Sequence, residues 1–313
     1  MCLLLSISSD LLDKEDYLEN MSSGDGAAQV PPKVSQTEVK STKYILQDRR
    51  LFVLLIHDGR QKVNKEQKEE KSAIRIDNDL IQLKEALKKF EPVNVTEIKI
   101  DDTTTTGGFK GELKGVAEDI CERTPTPGAL LCVYLGFGGS EYVYLGHKED
   151  KLEFADVVRQ FNGENCSALR MKPKLFFVQA ETTRPPKPKS PKFGGEDVSG
   201  VIIKIPKDAD IFIYFSSALA GKIWNEVPAV SAADKNAVMS RFVKLLCQQL
   251  KELTSRTEIQ TLVINMNYEI SNECFKTEDH PDGLQPSVDL LPLVTTQLTK
   301  ELYLADLVPK SNP

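Results

Sequence analysis

Residues 172–181 read Lys-Pro-Lys-Leu-Phe-Phe-Val-Gln-Ala-Glu, a short apolar run with lysines before it and polar residues at its end. A bounded apolar run of this length predicts a buried strand. A similar run, Leu-Cys-Val-Tyr-Leu-Gly-Phe-Gly, occupies residues 131–138, and another occupies residues 50–57. Such strand patterns alternate with amphipathic helix patterns along the chain. The alternation predicts an α/β fold with a mostly parallel sheet.

Two further segments fit this fold by their periodicity. Residues 79–87 are predicted to form a long helix, because Leu80, Leu83, Leu87 and Phe90 follow the spacing of one helix face. Residues 95–102 alternate between apolar and polar side chains, which predicts a strand with one buried face.

The two apolar runs at 131–138 and 172–181 resemble strands of the caspases, a family of cysteine peptidases. The later run resembles the strand that ends in Gln-Ala-Cys and carries the catalytic cysteine. The earlier run resembles the strand that leads into Ser-His-Gly and carries the catalytic histidine. Here Glu181 stands at the cysteine position, and Phe137 stands at the histidine position 44 residues before it. The family spacing is about 50 residues.

These two replacements remove the chemistry of the family. A carboxylate cannot replace a thiolate as the group that attacks an amide. Phe137 has no titratable group and cannot transfer a proton. The three histidines of the chain, at 57, 147 and 280, fall elsewhere. We therefore expect a caspase homologue without peptidase activity. In this interpretation Glu181 is a solvated residue after a strand, since a new general base would need a partner group and none is evident.

The resemblance also implies a degraded substrate pocket. Caspases hold the substrate aspartate with two arginines and a glutamine. Gln179 matches the glutamine and Trp224 matches a neighbouring tryptophan, but Asn225 replaces one arginine. The other arginine position holds Ala73, with Arg75 nearby but offset. A substrate carboxylate would thus lose its bidentate charged partners.

The resemblance covers residues 45–308 and implies six main strands flanked by helices. Residues 210–217 resemble the first strand of the small subunit, and residues 298–303 resemble its closing strand. The implied organisation is a short disordered leader (1–44), a large-subunit-like part (45–181), a proline-rich linker (182–208), a small-subunit-like part (209–308) and a tail (309–313). Asp197 in the linker could be a site of processing by another caspase. The alternative, an uncut surface loop, is favoured because single aspartates are common in loops.

A dimer-forming strand is the feature that the resemblance leaves intact. Residues 289–298 resemble the caspase edge strand that pairs antiparallel with its twin across a two-fold axis. An exposed apolar edge strand is a liability that proteins normally cover. The alternative is an internal strand without a partner. The residues expected at the interface are Leu290, Leu291, Leu293, Val294, Thr295 and Thr296.

Composition narrows the partners and the compartment. The net charge of −6 argues against a general nucleic-acid binder, and 40% hydrophobic with 27% charged residues is ordinary for a globular protein. The six cysteines show no paired C-x-x-C spacing, so we expect no metal site and no cofactor. Cys132 and Cys247 lie in apolar runs and are expected to be reduced core residues. This pattern favours the cytoplasm, and the apolar opening of the chain is too short for a signal peptide or a membrane span.

Three functions remain open at this stage. The first is a regulator that pairs with itself or with an active caspase and modulates apoptotic cleavage. The second is a residual or non-standard peptidase with displaced catalytic groups. The third is a scaffold that does not dimerise.

Overall fold

The computed structural model describes residues 42–46, 50–59, 70–91, 93–138, 142–146, 150–182, 209–219, 226–228, 238–276 and 292–309. In residues 70–75, 181–182, 217–219, 226–228, 238 and 273–276 this description is confined to the backbone. The helices are α1 (Glu70–Leu87), α2 (Thr106–Glu122), α3 (Phe154–Gln160), α4 (Arg241–Lys251) and α5 (Ile259–Lys276).

The centre of the described structure is a six-stranded sheet. Its strands are β1 (Leu51–Asp58), β2 (Asn94–Ile100), β3 (Ala129–Phe137), β6 (Lys174–Thr182), β7 (Ile211–Leu219) and β10 (Leu293–Thr296). They lie in the order β10-β7-β6-β3-β1-β2, and only β10 runs antiparallel to its neighbour. The predicted α/β fold, with a mainly parallel six-stranded sheet flanked by helices and an antiparallel edge strand, is therefore confirmed. Two small hairpins accompany it: β4 (Tyr142–Leu145) with β5 (Asp150–Glu153), and β8 (Glu226–Pro228) with β9 (Val238–Ser240).

Both faces of the sheet are covered by helices. One core joins alternate residues of β1, β3, β6 and β7 to α1, α4 and α5. The other joins the intervening residues to α2 and α3. Every residue of β1 and β3 is buried, which explains why β3 and the first six residues of β1 form continuous apolar runs, while β1 ends in the buried polar residues His57 and Asp58. β2, at the edge, alternates between exposed and less exposed residues, and it buries Ile98 and Ile100 on one face. The strand ends at Ile100 rather than at the predicted residue 102, and Val95 lies on the exposed face.

Side-chain hydroxyls cap the starts of two helices, and one of these caps is also bonded to a third helix. The Thr105 hydroxyl accepts from the Gly108 amide and caps α2. Ser240 caps α4 in the same way by accepting from the Val243 amide. The Ser240 amide in turn donates to the buried carboxylate of Asp79 on α1, at 2.7 Å. α1 extends nine residues before the predicted start at 79, and its predicted apolar face is buried.

The closing strand predicted at 298–303 is wrong. The structure has only isolated bridges here, one from Glu301 to Lys43 and one from Tyr303 to Glu258. The two bridges run in opposite senses, parallel and antiparallel. Because the segment changes its pairing partner within two residues, no continuous ladder forms.

Tyr44 connects this segment to the start of β7. Its hydroxyl donates to the Asp210 carboxylate at 2.6 Å, and the Thr299 hydroxyl donates to the same oxygen at 2.5 Å. The Thr299 amide donates to the Tyr44 hydroxyl at 3.2 Å. Burial, and then the bond to Asp210, raise the pKa of Tyr44 to about 12. The residues before β1 are thus tied to the C-terminal part of the fold by a buried polar network.

We expect Tyr44→Phe to lower the free energy of unfolding by about 1.5–3 kcal/mol, because the hydrogen bond lost is to a carboxylate and is buried. The measurement is urea unfolding at pH 7. Tyr303→Phe is the matched control, since its hydroxyl donates to Glu301 in an exposed bond, and it should change stability by less than about 0.5 kcal/mol. Equal effects of the two substitutions would contradict the structural role of the Tyr44 network.

Candidate functional site

The candidate site lies at the edge of the sheet where the parallel strands β1, β3, β6 and β7 have their carboxyl ends. In open α/β sheets this edge is where ligands bind. β3 ends at Phe137, and β6 continues to Thr182. Phe137 and Glu181 are register partners across these neighbouring strands. Adjacent strands lie about 4.8 Å apart, so the two positions are side by side although 44 residues separate them.

Two glycines shape the end of β3. Gly138 forms a bridge to Val143, and a Cβ atom at Gly138 would lie 2.4 Å from the Tyr142 carbonyl oxygen. That distance is below any real contact, so only glycine allows the β4–β5 hairpin to approach. At Gly136 a Cβ atom would lie 2.7 Å from the Tyr134 hydroxyl, which donates to the Phe137 carbonyl. The backbone around Phe137 is therefore fixed from both sides.

The side chain of Phe137 is buried, with 9% of its surface exposed. Its strand position places it on the same sheet face as Leu135, on the side of α1 and α4. The phenyl ring adds apolar contact here but no proton-transfer group. The side chain of Glu181 lies outside the described residues, and only its strand position is known.

Gln179 and His57 carry unpaired polar atoms on this same face. His57 pairs in register with Leu135, and Leu135 pairs with Gln179, so the three lie in one row across β1, β3 and β6. Gln179 is 3% exposed, and its Oε1 atom has no hydrogen-bond partner. The Nδ1 atom of His57 likewise has none. Buried polar atoms without partners are uncommon. These two atoms therefore set this row apart from the apolar side chains that surround it.

His57 is not placed to act on the Glu181 position. It lies on β1, two strand spacings or about 9.6 Å from β6. Its Nε2 atom lies 3.9 Å from the carboxylate of Glu97 on the edge strand, and the stronger partner of that carboxylate is Lys84, at 2.8 Å. The side chain thus pairs away from Glu181.

Burial lowers the pKa of His57. Lys99 and Lys84 act in the same direction, whereas Glu97 and Asp77 oppose it. Because the folded-state pKa is below the unfolded value, the unfolded chain binds more protons between the two. Above about pH 6.5 the imidazole is neutral in both the folded and the unfolded chain, and His57 does not lower the free energy of unfolding. As the pH falls below about 6.5, protonation of the unfolded chain lowers that free energy.

We expect wild type to lose stability between about pH 6.5 and 5 more steeply than His57→Gln, for this reason. The measurement is the urea midpoint of both proteins in half-unit steps from pH 5 to 7.5. The comparison uses the difference in slope, so a constant packing cost of the substitution cancels. Parallel profiles would contradict the assigned protonation state.

Cys132 and Cys247 do not present a reactive thiol at this edge. Cys132 points to the opposite face of β3, and burial raises its thiol pKa strongly. Cys247 on α4 is buried in the core, and burial raises its pKa to about 12. Both are reduced core residues, as predicted.

Several predicted site residues lie outside the described part of the chain. These are Trp224 and Asn225 of the pocket, Asp197 of the linker, and Leu290 and Leu291 of the interface. Ala73 lies in α1 with only its backbone described. Sequence reasoning missed His57 as a member of the site row, although its place at the end of an apolar run was a usable signal.

The interface residues that the structure does describe lie on β10. This strand pairs with β7 through Leu293↔Phe215 and the following three residues. Val294 packs against the core, and Leu293 is 36% exposed. Within the described residues the other side of β10 has no neighbouring strand. The predicted edge position is confirmed.

The family model of the caspase domain matches residues 64–303. The chain belongs to the caspase family. Its curated relatives include Caspase-3 of Oryctolagus cuniculus, 26% identical over 56% of this chain and 58% of the relative. Caspase-3 of Bos taurus is 29% identical over 66% and 70%, and Caspase-7 of Gallus gallus is 26% identical over 61% and 59%. The match thus spans somewhat under two thirds of the length of most of these caspases.

The fold comparison agrees with this membership. The solved structure of pro-sf-caspase-1 matches with a TM-score of 0.59 and 19% identity, covering 84% of this chain and 98% of that one. At this identity the likeness shows the caspase fold alone. Of the helices in the described residues, none combines the length and hydropathy needed to cross a bilayer.

Proposed function

We propose that this chain is a caspase homologue without peptidase activity that regulates an active caspase by pairing with it through β10. The observation that carries the proposal is the register of β3 and β6, which puts Phe137 beside Glu181 at the carboxyl edge of the sheet. In the family resemblance these are the positions of the catalytic histidine and cysteine. Neither residue present can perform the corresponding step.

The surroundings of the pair support the same proposal. The described histidine of this edge lies two strands from Glu181. Cys132 points to the opposite face of β3 and Cys247 lies on α4, and burial raises the thiol pKa of both. Gln179, which stands at the position of the pocket glutamine, is buried, and its side-chain oxygen has no hydrogen-bond partner. With Asn225 and Ala73 at the arginine positions, a substrate carboxylate would meet this single neutral residue in place of two cations.

The strand β10 supports pairing as the retained property. Leu293 presents an apolar side chain at the sheet edge, next to backbone groups without a strand partner in the described residues. An antiparallel twin or a caspase edge strand would cover both at once, and a two-fold contact of this kind is isologous.

The test is an activity assay of an active caspase with an acidic tetrapeptide substrate, mixed with increasing amounts of this protein. We expect no cleavage by this protein alone and a saturable change in caspase activity as the ratio rises. A fall in activity identifies a blocking partner, and a rise identifies an activating one. Cleavage by the protein alone would favour the residual peptidase, and no change at any ratio would favour the non-dimerising scaffold.

A further inference from the structure

A pair of cysteines lies in contact at the opposite edge of the sheet. The Sγ atoms of Cys121 and Cys166 are 3.6 Å apart. Cys121 is in the last turn of α2, and Cys166 directly precedes the short 3-10 turn Ser167–Leu169. α2 ends before β3 begins, and Cys166 lies before the start of β6. Both residues are therefore at the amino ends of these strands, away from Phe137 and Glu181.

The two thiols differ in exposure. Cys166 is fully buried, and its Sγ atom lies 3.6 Å from the Ala117 carbonyl oxygen. Cys121 is partly exposed, which makes it the more accessible of the two. The Ser167 hydroxyl lies 3.9 Å from the Cys121 sulfur. Cys121 is thus the more accessible cysteine, and the buried Cys166 sulfur is in contact with its sulfur.

The surroundings of the pair also separate their acidities. Burial alone would raise the pKa of Cys121, but hydrogen bonds from the Ala168 backbone, the Cys166 thiol and Ser167 together lower it. Burial, and then the contact with Cys121, raise the pKa of Cys166 to about 12. The accessible thiol is therefore the one that more readily becomes a thiolate, which is the reactive form.

We propose that Cys121 and Cys166 form a reversible disulfide when the protein meets a small-molecule disulfide such as oxidised glutathione. The Cys121 thiolate attacks one glutathione sulfur, a Cys121–glutathione bond forms, and one glutathione thiolate leaves. The Cys166 sulfur then attacks Cys121 Sγ, its proton passes to the departing glutathione sulfur, and the second glutathione leaves as a thiol. Two protein thiols are oxidised, and one glutathione disulfide is reduced to two glutathione molecules.

The geometry needs only a small adjustment for this step. A disulfide bond is about 2.05 Å long, so the sulfurs must approach by roughly 1.5 Å. Cys121 is near a helix end and Cys166 is in a loop, where side-chain rotation and small backbone shifts are easiest. The bond would close a loop of the chain that contains β3 and Phe137. It would thereby reduce the conformational entropy of the unfolded chain.

The remaining cysteines serve as internal controls. Cys132 and Cys247 are buried among apolar side chains on other elements, and their thiol pKa values are raised. The side chains of Cys2 and Cys274 lie outside the described residues. A pairing specific to Cys121 and Cys166 is therefore distinguishable by its peptides.

The experiment treats the full chain with oxidised glutathione under native conditions, blocks remaining thiols with an alkylating reagent, and maps the peptides by mass spectrometry. We expect a Cys121–Cys166 cross-linked peptide, an intact mass about 2 Da lower before alkylation because two hydrogen atoms are lost, and reversal by dithiothreitol. Oxidation should raise the melting temperature by about 5 °C or more. Cys121→Ser should abolish all of these changes, and Cys166→Ala should stop at the Cys121–glutathione adduct.

Two outcomes would overturn the proposal. One is a stable glutathione adduct on Cys121 of the wild type with no cross-link. The other is oxidation that joins different cysteines first. Because the wild-type peptide map decides both, the conclusion does not depend on whether Cys166→Ala folds.

Discussion

Purified protein should cleave aspartate-containing tetrapeptides about 10⁶-fold more slowly than an active caspase at equal concentration. Loss of a nucleophile or of its base typically costs a hydrolase this much. In the proposed function, Phe137 stands at the position of the base and Glu181 stands at the position of the nucleophile. The measurement is fluorogenic peptide hydrolysis under reducing conditions. Glu181→Gln is the control, and it should leave the background rate unchanged. A rate that survives stringent purification and falls in Glu181→Gln would contradict the proposed inactivity.

Restoring the two residues should not restore the enzyme. In Phe137→His combined with Glu181→Cys, the new side chains stand on register partners of β3 and β6, so the pair itself has suitable strand positions. By the family resemblance, Asn225 and Ala73 stand at the two arginine positions, so the substrate carboxylate would still lack both arginines. Each lost charge-assisted hydrogen bond is worth about 1.5–3 kcal/mol, so two cost about 10²- to 10⁴-fold. Near-normal activity of the double variant would show that the pocket assignment is wrong.

Leu293→Asp should shift the protein from dimer to monomer and abolish its effect on an active caspase. Leu293 is already 36% exposed in the single chain, so the substitution should not disturb the core. In a paired strand the introduced aspartate carboxylate would be desolvated. Leaving a buried charge unpaired costs about 3–5 kcal/mol, which weakens association by at least about 10²-fold. Light scattering of the variant and the mixed-caspase assay are the two measurements.

Ile81→Asp is the matched control for that prediction. Ile81 is 61% exposed on α1, which packs on the sheet face and not at the β10 edge. The same change of side chain there should leave both mass and modulation as in wild type. If Leu293→Asp behaves like this control, regulation does not run through β10, and a scaffold that uses another surface becomes the better hypothesis.

The buried strands and the main helix could be predicted from short-range pattern. The run at 172–181 is apolar because both faces of β6 are covered, and burial on two faces leaves a continuous apolar signal. The face of α1 followed from the spacing of Leu80, Leu83 and Leu87. The closing strand at 298–303, which the family resemblance implied, did not form, because these residues pair with two different partners in turn.

The candidate site was only partly available in this way. Phe137, Gln179 and Glu181 stood out because they interrupt or end apolar runs at positions that the caspase resemblance makes specific. The His57–Leu135–Gln179 row was not visible, because it depends on the register of three strands that are far apart in sequence. The Tyr44–Asp210–Thr299 network and the Cys121–Cys166 contact were hidden for the same reason.

The sequence by itself determined the main buried strands, the apolar face of α1, and which chemical groups stand at the positions that the family resemblance singles out. These properties follow from the hydrophobicity and the identity of each side chain along a short stretch. The tertiary structure alone decided which distant groups touch, such as Tyr44 on Asp210 and Cys121 on Cys166, and it set Phe137 and Glu181 as register partners. The physical reason is that strand register and helix packing bring together residues separated by 44 to 166 positions, and no local pattern along the chain encodes those distances.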